Sequence, residues 1–342
     1  MNTFIGLIII AAGSFGQSSS YVPINRVKDW SWENFWLTQG IFAWLIFPLL
    51  GALLAIPENN TLLGIITFAG SEVVLKTIGY GVLWGIGGLT FGLSMRYLGV
   101  ALGQSLALGT CSAFGVLIPA LLKGESLFQG KGLILLIGVS LAVAGIAIIG
   151  YAGSLRSKNM SDEEKRQAVK DYALKKGLLI AILAGVMSAC FNLGLEAGVK
   201  QKMVELNVSS LYAGLPATLL VTIGGFITNA VYCIYQNVKN KTGKQYFYVP
   251  GKVLINNLLF CALAGMLWYS QFFGFSIGQS FLEDSAVMMA FSWGILMALN
   301  VTFSNVWGIL LKEWKGVSNT TIFVLIAGLT ILVFSVIFPK LV

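Results

Sequence analysis

The chain contains no histidine, and only 14 of its 342 residues are acidic. The first absence removes histidine-based triads, histidine metal sites and imidazole proton relays. The scarcity of charge, 11% against about 25% in an ordinary soluble domain, removes a water-soluble globular fold. A nucleotide site is missing as well. Gly130-Lys131-Gly132 is the nearest approach to a Walker A loop, yet it lacks the correctly placed upstream glycine and the following Ser or Thr. Gly85-Ile86-Gly87-Gly88 does not complete a dinucleotide fingerprint and lies in an apolar run, where glycine serves close helix packing. The four cysteines, Cys111, Cys190, Cys233 and Cys261, all fall in apolar runs and read as small hydrophobes with no disulfide expected. No metal and no cofactor are expected, and uphill work has to draw on an ion gradient. Without histidine, a coupling proton has to ride on Asp or Glu; otherwise the coupling ion is Na⁺.

What the chain does have is apolar surface, with 56% hydrophobic residues and a mean hydropathy of +0.82. The charges are bunched, leaving ten long charge-free runs at 1–25, 34–57, 77–95, 97–122, 132–155, 177–195, 206–238, 253–282, 285–311 and 316–339. A hydrocarbon core about 30 Å thick takes about 20 residues of α-helix, so each run is read as one span. Continuous apolar runs without alternation exclude a membrane β-barrel, and lipid leaves helices as the remaining way to pair every backbone group. The apolar stretch 59–71 is too short to cross and is read as interfacial. The first run has no basic leader and is kept as a helix rather than a signal peptide.

A net charge of +8 invites a nucleic-acid reading, but in a membrane protein surplus Lys and Arg mark cytoplasmic loops, and no nucleic-acid partner is expected. Sixteen of the 22 basic residues lie in alternate loops: Arg26, Lys28, Arg96, seven between Arg156 and Lys176, four between Lys239 and Lys252, and Lys312 with Lys315. That side is read as cytoplasmic, which places both termini in the periplasm. The polar segment 152–176 divides the chain into five spans before it (1–151) and five after it (177–342), and Ser161 with Glu164 has capping-box spacing for a short linker helix. Five spans per half make duplicated halves run in opposite orientations, an arrangement that recurs in alternating-access carriers. Leu83-Trp84 with Phe91, repeated as Leu267-Trp268 with Phe275, is the internal trace of such a duplication.

Polar and aromatic side chains inside the spans are candidates for holding a solute: Gln17, Trp84, Asn192, Trp268, Tyr269, Gln271, Trp293 and Asn305. Amides exchange hydrogen bonds with hydroxyls while indole and phenol rings cover the C–H face of a pyranose, so the set suits a sugar. Amides in spans also tie helix to helix, and rings near an interface also anchor it. Trp268-Tyr269-Ser270-Gln271 lies mid-run, too deep for an interfacial belt. The candidates for proton coupling are Glu33, Glu196 and Asp284. Glu33 opens the second run among Trp30, Trp32 and Trp36, whose low dielectric favours a protonated carboxyl; it also reads as a helix N-terminal acid. Glu196 lies four residues before Lys200, the spacing of an ion pair, and Asp284 with Glu283 reads as the first turn of the ninth span.

Trp30-Ser31-Trp32-Glu33 with Trp36, Leu83-Trp84-Gly85-Ile86-Gly87, Met95-Arg96-Tyr97-Leu98-Gly99, Lys175-Lys176-Gly177, Leu211-Tyr212 before Leu215-Pro216, Leu267-Trp268-Tyr269 with Gln271-Phe272-Phe273, and Lys312-Glu313-Trp314 occur in this order. Together they resemble the bacterial L-rhamnose–proton symporter family of the drug/metabolite transporter superfamily. The resemblance implies an all-α membrane protein of ten helices in two inverted five-helix repeats, import of L-rhamnose with a proton, and a place in the bacterial inner membrane. It assigns no role to individual residues. The expected partners are a sugar, protons and the lipid bilayer, with no obligate protein partner. Another monosaccharide or an exported metabolite on the same fold is the rival reading. An intramembrane enzyme or sensor is a more distant one, since no span holds paired catalytic carboxylates or a Ser–Lys arrangement.

Overall fold

The computed structural model describes residues 2–24, 26–98, 100–158, 174–312 and 314–342, so the segment around Ser161 and Glu164 lies outside the described residues. Among the described residues ten helices are long and apolar enough to cross a membrane, numbered here spans 1 to 10: Thr3–Pro23, Trp32–Leu53, Ser71–Ser94, Ser105–Leu122, Gly130–Arg156, Lys175–Glu205, Leu215–Asn240, Gly251–Ser280, Ala286–Leu310 and Asn319–Leu341. Each overlaps one of the ten charge-free runs.

The helix ends follow local chemistry. Ser285 and Ser318 cap spans 9 and 10, their hydroxyls accepting from the backbone N–H of Met288 and Thr321. The run 206–238 is shorter as a helix than as an apolar stretch. Residues 206–214 are turns, with Asn207 left-handed (φ 58°), and the helix starts only at Leu215, where Pro216 sits in the first turn that tolerates it. Span 6 is interrupted. Its helix Leu174–Leu195 stops, Gly198 takes φ 125°, and a second helix runs Val199–Glu205. The short stretch 59–71 contains the helix Leu62–Ala69, capped by Thr61, with Ile65 and Ala69 buried against Met203, Ala213, Ala217 and Leu220.

The chain forms two compact units. The first comprises residues 1–85 and 193–281, the second 86–192 and 282–342, so each draws on both halves of the chain. Helices within each approach backbone to backbone at glycines, because helices in lipid gain little from hydrophobic contact and rely on close packing. In the first unit span 1 lies on span 8, where a Cβ on Gly13 or Gly16 would collide with Ser270, and the Ser270 hydroxyl donates to the Gly13 carbonyl at 3.0 Å. Gly81 and Gly224 bring spans 3 and 7 equally close, and Thr228 Oγ1 donates across to the Val82 carbonyl at 3.0 Å. In the second unit Gly145 and Gly328 do the same for spans 5 and 10. Gly85 and Gly87 are packing glycines, against Thr228 and Ser188, whereas Gly88 faces open space. All four cysteines are buried and free.

Gly13→Ala is expected to cost about 1–3 kcal/mol by overpacking, seen as a lower unfolding temperature in detergent. Gly88→Ala, with nothing within 4 Å of the new methyl, is expected to hold or slightly raise it, since Ala favours helix over Gly. Equal behaviour of the two variants would remove the close approach at Gly13.

Loop contacts support the alternation of spans. In the first unit the Ser31 N–H donates to Gln245 Oε1 at 2.6 Å. There too the Lys28 N–H donates to Asn257 Oδ1 at 3.0 Å and the Asn257 amide returns a bond to the Lys28 carbonyl at 2.7 Å. In the second, Arg156 lies over the Trp314 ring at 5.4 Å and Lys176 over the Tyr97 ring at 4.7 Å. Every one of these contacts joins segments that follow odd-numbered spans or lead into even-numbered ones, and such segments share a membrane face only if no span between them is miscounted.

Candidate functional site

In the first unit, span 2 organises the site. Pro48 has no N–H for the Trp44 carbonyl four residues back and its ring crowds that carbonyl. The helix widens there into the π-helical turn Ile41–Ile46, a deformation that recurs at functional sites. Trp44 in this turn is 4% exposed. Its ring lies 5.6 Å from Trp36, 5.9 Å from Trp84 and 6.0 Å from Trp268, each edge to face. Trp84 and Trp268 are 5.8 Å apart, and Phe272 closes on Trp268 at 5.1 Å. Trp32, half exposed, stacks on Trp36 at 5.4 Å. A continuous run of indoles therefore leads from the end of span 2 into the protein.

Glycine and asparagine set the ring positions. Trp84 occupies the space that a Cβ on Gly225 would need. Trp36 Nε1 donates to Asn229 Oδ1 at 3.0 Å, and the Asn229 amide donates to the Gly225 carbonyl at 2.9 Å. By contrast, Trp44 Nε1, Gln39 Oε1 and the Tyr269 hydroxyl are buried without a hydrogen-bond partner among the described residues. The Tyr269 hydroxyl fits against Gly51, two turns beyond Trp44. Gln271 is buried on the same helix, its amide donating to the Trp268 carbonyl at 3.1 Å.

Glu33 begins the same span. It is buried, and its Oε1 accepts from the Thr242 hydroxyl at 2.6 Å and the Asn240 amide at 3.1 Å. The surrounding network is polar: the Asn34 amide donates to the Thr242 carbonyl at 2.9 Å and to Gln245 Oε1 at 3.0 Å. The Trp30 indole donates to the Gln245 carbonyl at 3.3 Å and the Tyr246 hydroxyl to the Asn34 carbonyl at 3.1 Å. Burial pushes the Tyr246 phenol up, which keeps it a neutral donor. The indoles expected to enclose Glu33 turn to other partners, Trp30 to Gln245 and Trp36 to Asn229, and the carboxylate is met instead by the Asn240 amide and the Thr242 hydroxyl.

The other expected residues are more dispersed. Gln17 is half-buried and accepts from the neighbouring Ser18 hydroxyl at 3.3 Å. In the second unit Asn192 and Trp293 come together at Gly115. The Asn192 amide donates to the Gly115 carbonyl at 2.8 Å, and Trp293 lies over Gly115 while stacking on Phe191 at 6.0 Å. Asn305, on the helix of Trp293 but about 18 Å farther along it at 1.5 Å per residue, bonds the Val301 carbonyl of its own turn at 2.9 Å. Glu196 stands in the turn that ends the helix Leu174–Leu195, so its spacing to Lys200 crosses a helix break. Asp284 precedes the cap Ser285 and lies outside the first turn of span 9.

Sequence reasoning passed over Trp44 and Gln39. The signals were an in-span amide, the criterion already applied to other residues, and a proline four residues after a tryptophan in a charge-free run. Nothing local pointed to Asn240 or Thr242.

Residues 1–339 match the family model described as L-rhamnose-proton symport protein (RhaT). The L-rhamnose-proton symporters of Yersinia pestis (strain Pestoides F) and Yersinia pseudotuberculosis (serotype I, strain IP32953) are each 33% identical to this chain over 336 residues, covering 96% of it and 95% of their own length. With ten apolar helices and a match along nearly the whole chain, the protein belongs to the L-rhamnose-proton symport family, whose members are transporters and not enzymes.

Proposed function

We propose that this protein imports L-rhamnose together with a proton across a bacterial inner membrane, by alternating access of two inverted five-span repeats (1–151 and 177–342, joined by 152–176). The observation that carries the sugar site is the convergence of Trp84 and Trp268, drawn from separate parts of the sequence, on one buried cluster with Trp44. Indole faces cover the C–H faces of a deoxysugar, and Tyr269 and Gln271, on the helix that carries Trp268, are proposed to serve its hydroxyls. Gln17, Asn192, Trp293 and Asn305 are proposed individually as further solute contacts.

Glu33 is the proposed proton carrier, with Glu196 and Asp284 as alternates. Protonation of its Oε1 leaves that oxygen less able to accept from the Asn240 N–H, which can only donate, and so loosens the tie between span 2 and the end of span 7. One proton moving down about 1 pH unit and 100 mV supplies roughly 1.4 + 2.3 kcal/mol, enough for about 500-fold accumulation.

Uptake of labelled L-rhamnose into proteoliposomes, with and without an imposed pH gradient, tests the reading. Accumulation should require the gradient, and a panel of unlabelled sugars should compete less well than L-rhamnose. Equal competition by an unrelated monosaccharide would favour the rival substrate reading.

Both termini are proposed to be periplasmic. Cysteine placed at Val342 should react with an impermeant thiol reagent added outside intact cells, and cysteine at Lys244 should not; the reverse pattern would invert the topology.

A further inference from the structure

We infer that the indole N–H of Trp44 is the hydrogen-bond donor that orients the transported sugar inside the aromatic cluster. The inference rests on the proposed reading of the protein as an L-rhamnose transporter and adds to it the residue that reads the solute's oxygen atoms.

A buried tryptophan N–H normally finds an acceptor, and an orphaned one is costly. Trp44 Nε1 has none among the described residues, although the indole of Trp36, one neighbour away in the same cluster, is served by Asn229 at 3.0 Å. Packing alone gives no reason for a nitrogen at position 44, since phenylalanine fills an apolar space without an orphaned donor.

The geometry aims the group away from its own helix. A Cβ on Gly40 would lie 2.7 Å from both Cε3 and Cζ3 of Trp44, so the benzo side of the indole rests on Gly40 and the opposite, N–H-bearing side faces off that contact. The π-helical turn Ile41–Ile46 carries the ring. Trp84 and Trp268 meet it nearly at right angles, at 89° and 81°, and are tilted only 35° from each other. The arrangement sets one donor beside two apolar rings. Indole only donates, so its complement is an oxygen acceptor on a molecule with apolar C–H surface: a sugar hydroxyl or ring oxygen qualifies, and an ammonium group does not.

The test is calorimetric titration of the purified full-length protein with L-rhamnose, each of its monodeoxy analogues and the carbocyclic analogue that lacks the ring oxygen. Three forms are compared: the parent protein, Trp44→Phe, and a protein carrying benzothienylalanine at position 44, which replaces N–H by sulfur at nearly the same shape. Loss of one neutral hydrogen bond predicts roughly five- to tenfold weaker L-rhamnose binding in both altered proteins. It also predicts one analogue, the one missing the acceptor, that the parent binds no better than they do. Parent-like affinity of the benzothienylalanine protein for L-rhamnose overturns the inference even if Trp44→Phe fails to fold. So does a loss of equal size across every analogue, which marks a packing role. If the parent itself binds no L-rhamnose, the functional reading fails at that first titration and the inference falls with it.

Discussion

Glu33→Gln is expected to abolish uphill, pH-driven uptake while leaving sugar-for-sugar exchange in place. Gln carries no charge, as the protonated carboxyl does, and it can neither take up nor release a proton. Exchange needs only the loaded carrier to reorient, whereas accumulation needs a proton to dissociate on the inner side. The expected loss is therefore the whole gradient-driven component, up to the roughly 500-fold accumulation that such a gradient supports. Parallel measurement of both modes in proteoliposomes checks it. If Glu33→Gln still concentrates L-rhamnose when the outside is acidified, Glu33 is a helix-end acid held by its hydrogen bonds, and Glu196 and Asp284 become the residues to test.

Trp268→Ala is expected to weaken sugar binding by about 1–3 kcal/mol, or roughly 5- to 150-fold, because it removes a stacking face and opens the cluster around Trp44 and Trp84. Gln271→Ala is expected to lose affinity in the same range if its buried amide serves a sugar hydroxyl. Trp268→Phe, which keeps an aromatic face, should recover part of the loss. Quenching of intrinsic fluorescence or calorimetry on the purified protein reads these changes. Unchanged affinity in both alanine variants would take span 8 out of the site and leave the second-unit pair Asn192 and Trp293 as the better candidates.

Span 8 shows how far a linear reading reaches. Its depth in the run picked out Trp268 to Gln271 as a group, yet the four side chains serve different ends. Trp268 joins the indoles, Ser270 ties the helix to Gly13, Tyr269 reaches toward Gly51, and Gln271 bonds within its own helix. Which side of a helix each residue takes is set by the 100° step between neighbours, but what waits on that side depends on the partner helix. Asn305 and Asn192 make the same point: both are in-span amides, and one bonds its own turn while the other crosses to Gly115.

The sequence alone determined the ten helices and their order, because in lipid each backbone group must be paired within its own segment and a charge-free run of sufficient length has no other solution. Helix ends rested on local side chains that the charge-free runs did not single out, as at the caps Ser285 and Ser318, and were misjudged where a turn was itself uncharged, as in 206–214. Only the tertiary structure decided the site. Trp36 finds Asn229 across 193 residues and Glu33 finds Thr242 across 209, and Trp44 joins the cluster through a proline-induced widening of its helix. Such contacts follow from how glycine seams let particular helices touch, and the spacing of residues along one helix carries no information about its neighbours.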